Sequence, residues 1–257
     1  MADGTTQAPF ASLRGQVSPE EWQARVDLAA LYRLVALEGW DDMIFTHLSA
    51  RVPGTEHFLI NPCGFFFEEM TASALVKVDA EGAPAQKTSS MVNPAGFTIH
   101  SAVHLARPDA HFVMHLHTDA GVAVSAHSEG LLPITQHALI ALPGLAYHDY
   151  EGIALNLEER QRIVQDLGDK RVMLLRNHGT LAVGETAAQA WLGLFFLERA
   201  CRQQCLALAA GRQGVLLAPE EAQAEVREQT RMMPVVAGLA WPGLLRRLNR
   251  LSPGYDA

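Results

Sequence analysis

From Ser18 onward, helical segments and short apolar strands alternate along the chain, and that order makes a single α/β layer fold the expectation. SPEEWQARVDLAALYRLVALEGW, residues 18–40, predicts a helix. Ser18 is a good N-cap, Pro19 suits the first turn, Glu21 completes a capping box and Gly39 ends the helix. THLSARV (46–52) and HFLINP (57–62) alternate well enough for two strands, with a turn at Pro53-Gly54-Thr55-Glu56 between them. TASALVKVDAEGAP (71–84) reads as a helical turn followed by a strand. Asn93 and Pro94 open a helix that Arg107-Pro108 closes; an apolar strand follows at 111–117, then a helix from about Asp119 to His127. RVMLLRNHG (171–179) and TLAVG (180–184) give two more strands around a tight break at Asn177-His178-Gly179, and residues 186–211 give a long helix that stops near Gly211. Residues 1–17 read as a loose arm, 18–215 as the folded domain, and 216–257 as a helical tail, amphipathic and then Pro-rich, suited to a subunit interface.

Composition removes several classes. A chain of 257 residues with 49% hydrophobic and 19% charged residues is globular rather than disordered. A formal net charge of −8 argues against a nucleic-acid surface, which needs clustered Lys and Arg. Three cysteines make no disulfide framework, and Cys201 and Cys205, one helical turn apart, suit packing; a reducing, cytoplasmic setting is expected. The first residues show neither a basic start nor a long apolar core, so no signal peptide is read there, and no charge-free apolar run of about 18 residues suggests a membrane span.

The chemistry concentrates in the strand HFVMHLH, residues 111–117, which breaks at Thr118-Asp119. Successive strand residues face opposite ways, so His115 and His117 project side by side with Leu116 on the other face. Three protein ligands and an open position are the usual catalytic metal arrangement, and His is the commonest ligand. His178, in a turn that Gly179 permits, is the third ligand we select, because imidazoles at the ends of neighbouring strands can converge on one ion. Strand-end histidines bonded to backbone carbonyls are the other reading that the pattern allows.

THLSARV, INPCGFFFEEMTASALVKVD, NPAGFTIHSAVHLARPDAHFVMHLHT, GLAYHDYEG and LLRNHGTLAVGET follow one another in an order that resembles the class II aldolase/adducin family from about Thr46 to Thr186. The resemblance implies an α/β/α fold with a central, mostly antiparallel sheet flanked by helices. It implies a divalent metal ion, zinc first and manganese or iron as alternatives, held by His115, His117 and His178. It also implies a small-molecule substrate and a homo-oligomer, a tetramer with its cleft near a subunit boundary; the apolar WLGLFFLE segment (191–198) suits such a contact and a buried helix equally well, and Tyr255 could reach a neighbour's site. An anion site is carried over onto Thr46, Ser49, Asn61, Gly64, Ser89 and Ser90, although His47 stands where the aldolases often show Asn, and Cys63 where they show a small polar residue.

One departure matters more. The aldolases carry a Glu after a Ser-Ser pair, as metal ligand or acid/base; here Ser89-Ser90 is followed by Met91-Val92-Asn93-Pro94-Ala95-Gly96, with Gly96 at about the position of the missing carboxylate. NPAGFTIHSAVHLARPD is closer to the head domains of adducins and to a bacterial group of uncertain chemistry. The expected activity is therefore a metal-dependent carbon–carbon lyase, a decarboxylase or retro-aldolase, acting through a metal-stabilised enolate on a small carboxylate- or carbonyl-bearing substrate. The alternatives are a three-His Fe(II) oxygenase and an adducin-like interaction module without catalysis. Candidates to replace the acid/base are His100, which shares a helix face with His104, and Tyr147 in AYHDY.

Overall fold

The computed structural model describes residues 10–152 and 158–257, apart from the side chains at 94, 95, 97 and 98. Residues 1–9 of the expected arm lie outside the described residues. Eight helices accompany a seven-stranded sheet among the described residues: α1 (Pro19–Glu38), α2 (Pro94–Ala106), α3 (Asp119–Ser125), α4 (Gln136–Ala141), α5 (Glu159–Leu167), α6 (Ala187–Leu208), α7 (Glu220–Gln229) and α8 (Met233–Leu251). The strands are β1 (His47–Arg51), β2 (Phe58–Ile60), β3 (Val76–Val78), β4 (Phe112–Leu116), β5 (Leu145–His148), β6 (Val172–Leu175) and β7 (Gly179–Gly184). Their order is β3-β2-β1-β4-β7-β6-β5, antiparallel throughout except for the β5–β6 pair. This is the expected mostly antiparallel sheet flanked by helices.

Alternation along the central strands sorts the core into two layers. Phe112, Met114 and Leu116 of β4, with Leu48 and Ala50 of β1, Ala182 of β7 and Leu174 of β6, pack under α1 and α6. Val113, Leu181, Val183, Met173 and Leu175 point the other way and pack under Ile99 and Val103 of α2 and Ile163 and Leu167 of α5. His115 belongs to this second face. Both faces of β4 are buried, so its polar side chains must find partners inside the protein.

Local details follow the chemistry of the caps. Ser18 accepts from the Glu21 N–H, and Gly39, in the left-handed region at φ 67°, closes α1. The capping box is incomplete: the Glu21 carboxylate turns to the fully buried Arg25 and to Lys77, at 2.9 Å from each, because a buried guanidinium needs a counter-charge more than an exposed N–H needs a cap. Three elements escape the sequence reading. α4 spans six residues and follows the Thr135 cap; α5 begins at Glu159 without a capping side chain; and β5 is a strand of four residues. The C-terminal tail holds α7 and α8, the latter with Pro234 in its first turn and Pro242 on an exposed position inside. The WLGLFFLE segment lies within α6, where Trp191, Leu194 and Leu197 are core residues, so that part of it is taken up inside the subunit.

Candidate metal centre

Two backbone irregularities deliver imidazoles to the second face of the sheet. Thr46 and Asn177 both have positive φ, 63° and 56°, and they immediately precede His47 and His178. Asn tolerates this conformation, whereas a β-branched Thr does so at a cost of order 1–3 kcal/mol. Across the β1–β4 ladder His47 stands directly opposite His115. The β6–β7 turn brings His178 over the end of β4, and the approach is close: a β-carbon on Gly179 would sit 2.3 Å from the Leu116 carbonyl oxygen and 3.1 Å from Cδ2 of His117.

His115, His117 and His178 thus meet. Their ring centroids are 4.8 Å apart in all three pairs, and one ring nitrogen from each lies within 4.8 Å of the others. The outward nitrogens are already committed. Nδ1 of His115 donates to the Thr180 carbonyl at 3.0 Å, since a carbonyl can only accept. Nδ1 of His117 is 3.2 Å from the Asp42 carboxylate. Nε2 of His115 and Nε2 of His117 face each other across 3.0 Å, and in neutral rings with hydrogen on Nδ1 both would present lone pairs there. Two acceptors at that distance repel, and a shared cation turns the repulsion into ligation. Burial first, and then His47, His178 and His117, hold the His115 pKa well below the usual imidazole range; burial, then His117 and His148, lowers His178 to about 4. Neutral imidazole is the form that binds metal. Carbonyl and carboxylate partners on the outer nitrogens are the arrangement that orients metal-bound histidines. The donor set therefore fits a divalent transition metal.

Support comes from the opposite face. Glu198 of α6 is buried and accepts from the hydroxyls of Thr180, at 2.5 Å, and of Thr118. Thr180 supplies the carbonyl that orients His115, and Thr118 caps α3 directly after His117. One carboxylate thus ties down the chain on both sides of the histidine pair. A polar cavity of about 380 Å³ borders His117, Asp42, Thr118, Glu198, Arg199 and Arg202.

The other expected site residues scatter. Thr46 lies buried beside His47, with its hydroxyl unpartnered among the described residues. Asn61 accepts from the Tyr32 hydroxyl at 2.8 Å. Gly64 takes a φ of 91°, Ser89 is exposed and Ser90 half-buried. Ser49 is buried between His100 and His104, and both of its hydrogen bonds go to them. His100 is buried as well, with one nitrogen on His47 and the other on Ser49. The Tyr147 hydroxyl accepts from the Leu131 N–H at 3.0 Å, and Arg176 lies over its ring at 4.4 Å; the phenol in ring contact with the triad is that of Tyr150, 6.4 Å from His178. Tyr255 is buried, and its carbonyl accepts from Ala72. Sequence reasoning passed over Asp42 and gave His47 no role. His47-Leu48-Ser49 has the same two-residue spacing as His115-Leu116-His117, and with His100 and His104 at i and i+4 it contained a readable second cluster.

Comparison with known proteins places this arrangement in context. Residues 26–205 match the family described as Class II Aldolase and Adducin N-terminal domain. A Caulobacter vibrioides protein assigned provisionally to aldolase class 2 is 72% identical over 99% of each chain. Alpha-adducin of Mus musculus is 46% identical over 85% of this chain and 31% of its own length. The crystal structure of an aldolase II superfamily protein from Pseudomonas syringae superposes with a TM-score of 0.91 at 50% identity, covering 96% of this chain and all of the other. The L-fuculose 1-phosphate aldolase of Glaciozyma antarctica superposes with a TM-score of 0.79 at 30% identity, covering 95% of each.

Proposed function

The chain belongs to the class II aldolase and adducin N-terminal domain family, and from that premise we propose that it is a divalent-metal-dependent lyase that cleaves a carbon–carbon bond in a small substrate bearing a carboxylate or carbonyl group. The observation that carries this reading is the convergence of one ring nitrogen each from His115, His117 and His178, with the Nε2 atoms of the first two 3.0 Å apart. A binding module has no physical use for converging lone pairs, whereas a metal enzyme needs them. His115, His117 and His178 would hold the ion, zinc by preference for three neutral imidazoles, with manganese or iron as the alternatives. When bound, the ion supplies a Lewis acid that polarises a carbonyl or an adjacent carboxylate. The Thr180 carbonyl and Asp42 keep the rings aimed inward, and the Tyr150 phenol, exposed above His178, is within reach of a proton donor's task. Thr46, Gly64, Ser89 and Ser90 are the remaining candidates to bind the substrate's anionic group.

Gly96 argues against the aldol mechanism that uses a carboxylate at that position. A β-carbon there would lie 2.4 Å from Cδ2 of His47, so the space is taken by an imidazole. Decarboxylation delivers a proton after the bond breaks and tolerates the loss of a strong base better than retro-aldol cleavage does. Exposed Leu216, Val235, Leu239 and Leu251 on the C-terminal segment support a homo-oligomer.

The test is metal analysis of protein purified without added metal, followed by a screen of keto acids and hydroxy-aromatic acids for CO2 or aldehyde release. Zinc or manganese near one per chain, with release that His178→Ala abolishes, supports the lyase. Iron with oxygen-dependent turnover supports an oxygenase instead. A chain that binds no metal is an adducin-like module, and the lyase reading then fails.

A further inference from the structure

A second set of imidazoles lies beneath the triad, and the direction of each of its hydrogen bonds is fixed from one end. The Ala110 carbonyl can only accept, so Nδ1 of His104, 2.8 Å away, carries a hydrogen. Burial lowers the His104 pKa to about 3, so the ring is neutral and its Nε2 is bare. That nitrogen must accept from the Ser49 hydroxyl at 2.6 Å. A hydroxyl has one hydrogen to give, so the second Ser49 contact, 2.5 Å from Nδ1 of His100, is donated by His100. Burial, and then His104 and His115, keep His100 neutral as well, so its Nε2 accepts Nδ1–H of His47 at 2.9 Å. A carbonyl in the turn between α2 and β4 thereby sets the tautomer of a ring on β1, through four side chains.

The outcome is a bare Nε2 on His47. The two nitrogens of an imidazole point nearly opposite ways, so this one faces away from His100. His47 lies across the ladder from His115, with ring centroids 5.2 Å apart. Gly96 approaches that edge of the ring without a side chain; a β-carbon there would come 2.9 Å from Nε2.

We propose that His47 is a substrate-contacting residue of the metal centre, whose Nε2 accepts a hydrogen bond from a hydroxyl of the bound ligand, so that the site takes 2-hydroxy acids in preference to analogues whose oxygen bears no hydrogen. The proposal rests on the metal-centre reading above. Ser49, His100 and His104 act through His47 and are positioning residues. A site committed to accepting a hydrogen bond leaves its acceptor unpaired when the ligand lacks the donor, and it discriminates on that basis.

Two measurements test this. In 15N-labelled, metal-free protein, the ring nitrogens of His47, His100 and His104, assigned with single His→Gln variants, are expected to show hydrogen on Nδ1 and none on Nε2. Ser49→Ala is expected to turn His100 and His47 into tautomer mixtures. Hydrogen on Nε2 of His47 in the wild type overturns the proposal. In the second measurement, zinc-loaded protein is titrated calorimetrically with glycolate and with methoxyacetate. The wild type is expected to prefer glycolate by about tenfold or more. His47→Phe should lose the preference while keeping one zinc per chain, and His47→Gln, whose amide oxygen can accept, should recover part of it. Equal affinities in a fully zinc-loaded wild type, or a preference that survives His47→Phe, overturn the role of His47 and leave the metal centre standing. A wild type that takes up no zinc overturns the metal centre itself.

Discussion

Gly179 meets the carbonyl of Leu116 so closely that a β-carbon on it would lie 2.3 Å from that oxygen. The first residue of β7 is pressed onto the last residue of β4, and this contact sets the separation of His178 from His117. Gly179→Ala must push the strands apart. Overpacking of this kind costs about 1–3 kcal/mol, and we expect a loss of that size in denaturant unfolding of the metal-free protein. Zinc affinity should fall as well, because the third imidazole moves with the strand. An alanine variant with wild-type stability and wild-type affinity would show that the approach is not needed.

Asp42 holds Nδ1 of His117 from a loop outside the sheet. Loss of such a carboxylate typically weakens metal binding 10- to 100-fold, because the ring loses both its orientation and part of its basicity. Asp42→Ala should show a loss in that range by competition with a chromogenic chelator, with the unfolding midpoint of the metal-free protein little changed. Unaltered zinc affinity in this variant would remove Asp42 from the centre.

Positions 47 and 96 should behave as a coupled pair. Gly96→Glu alone drives a side chain into the His47 ring, 2.4 Å from where its β-carbon would stand. The combination with His47→Asn clears that space. We expect the double variant to be more stable than the sum of the two single changes, with a coupling of about 0.5–3 kcal/mol in a double-mutant cycle on metal-free protein. Strict additivity would mean that the two positions do not share the space.

Glu198 gives stability a pH dependence of definite sign. Burial pushes its carboxyl from 4.5 up to about 7, although the Thr118 and Thr180 hydroxyls pull the other way. A raised folded-state pKa contributes stability that is fully present below about 4.5 and lost as pH rises to about 7. The difference is of order 3 kcal/mol across that window. Glu198→Gln stays neutral, so its stability should fall less than that of the wild type between pH 4.5 and pH 8, in chelator-treated protein. Asp27, raised to about 6 by burial, slopes the same way in both proteins and cancels in the comparison. Parallel profiles for the two proteins would show that Glu198 is ionised in the fold at no cost.

The sequence made the histidine triad readable because a strand repeats every two residues and a Gly-containing turn marks a sharp return. It also showed, in Gly96, that a carboxylate is missing. It did not show why, since the His47 ring that fills the space comes from a different strand and no spacing along the chain reports that meeting. Ser49 illustrates the same limit. Its hydroxyl reads as an anion ligand in isolation, yet two imidazoles from α2 claim both of its hydrogen bonds. Tyr147 and Tyr150 are equivalent in composition, and only the cover supplied by Gly130 and Arg176 turns the first ring into a structural one. The short helix α4 offers only six residues behind its Thr135 cap, too few to show a period, and α5 starts without a capping side chain.

The outward nitrogens of His115 and His117 are held by a strand carbonyl and a loop carboxylate, groups that belong to the fold itself. A cation held by this triad would meet rings whose outer edges the fold already anchors, in contrast to a zinc finger, which unravels when stripped. Binding energy at such a socket would go into ligation and little of it into ordering the chain.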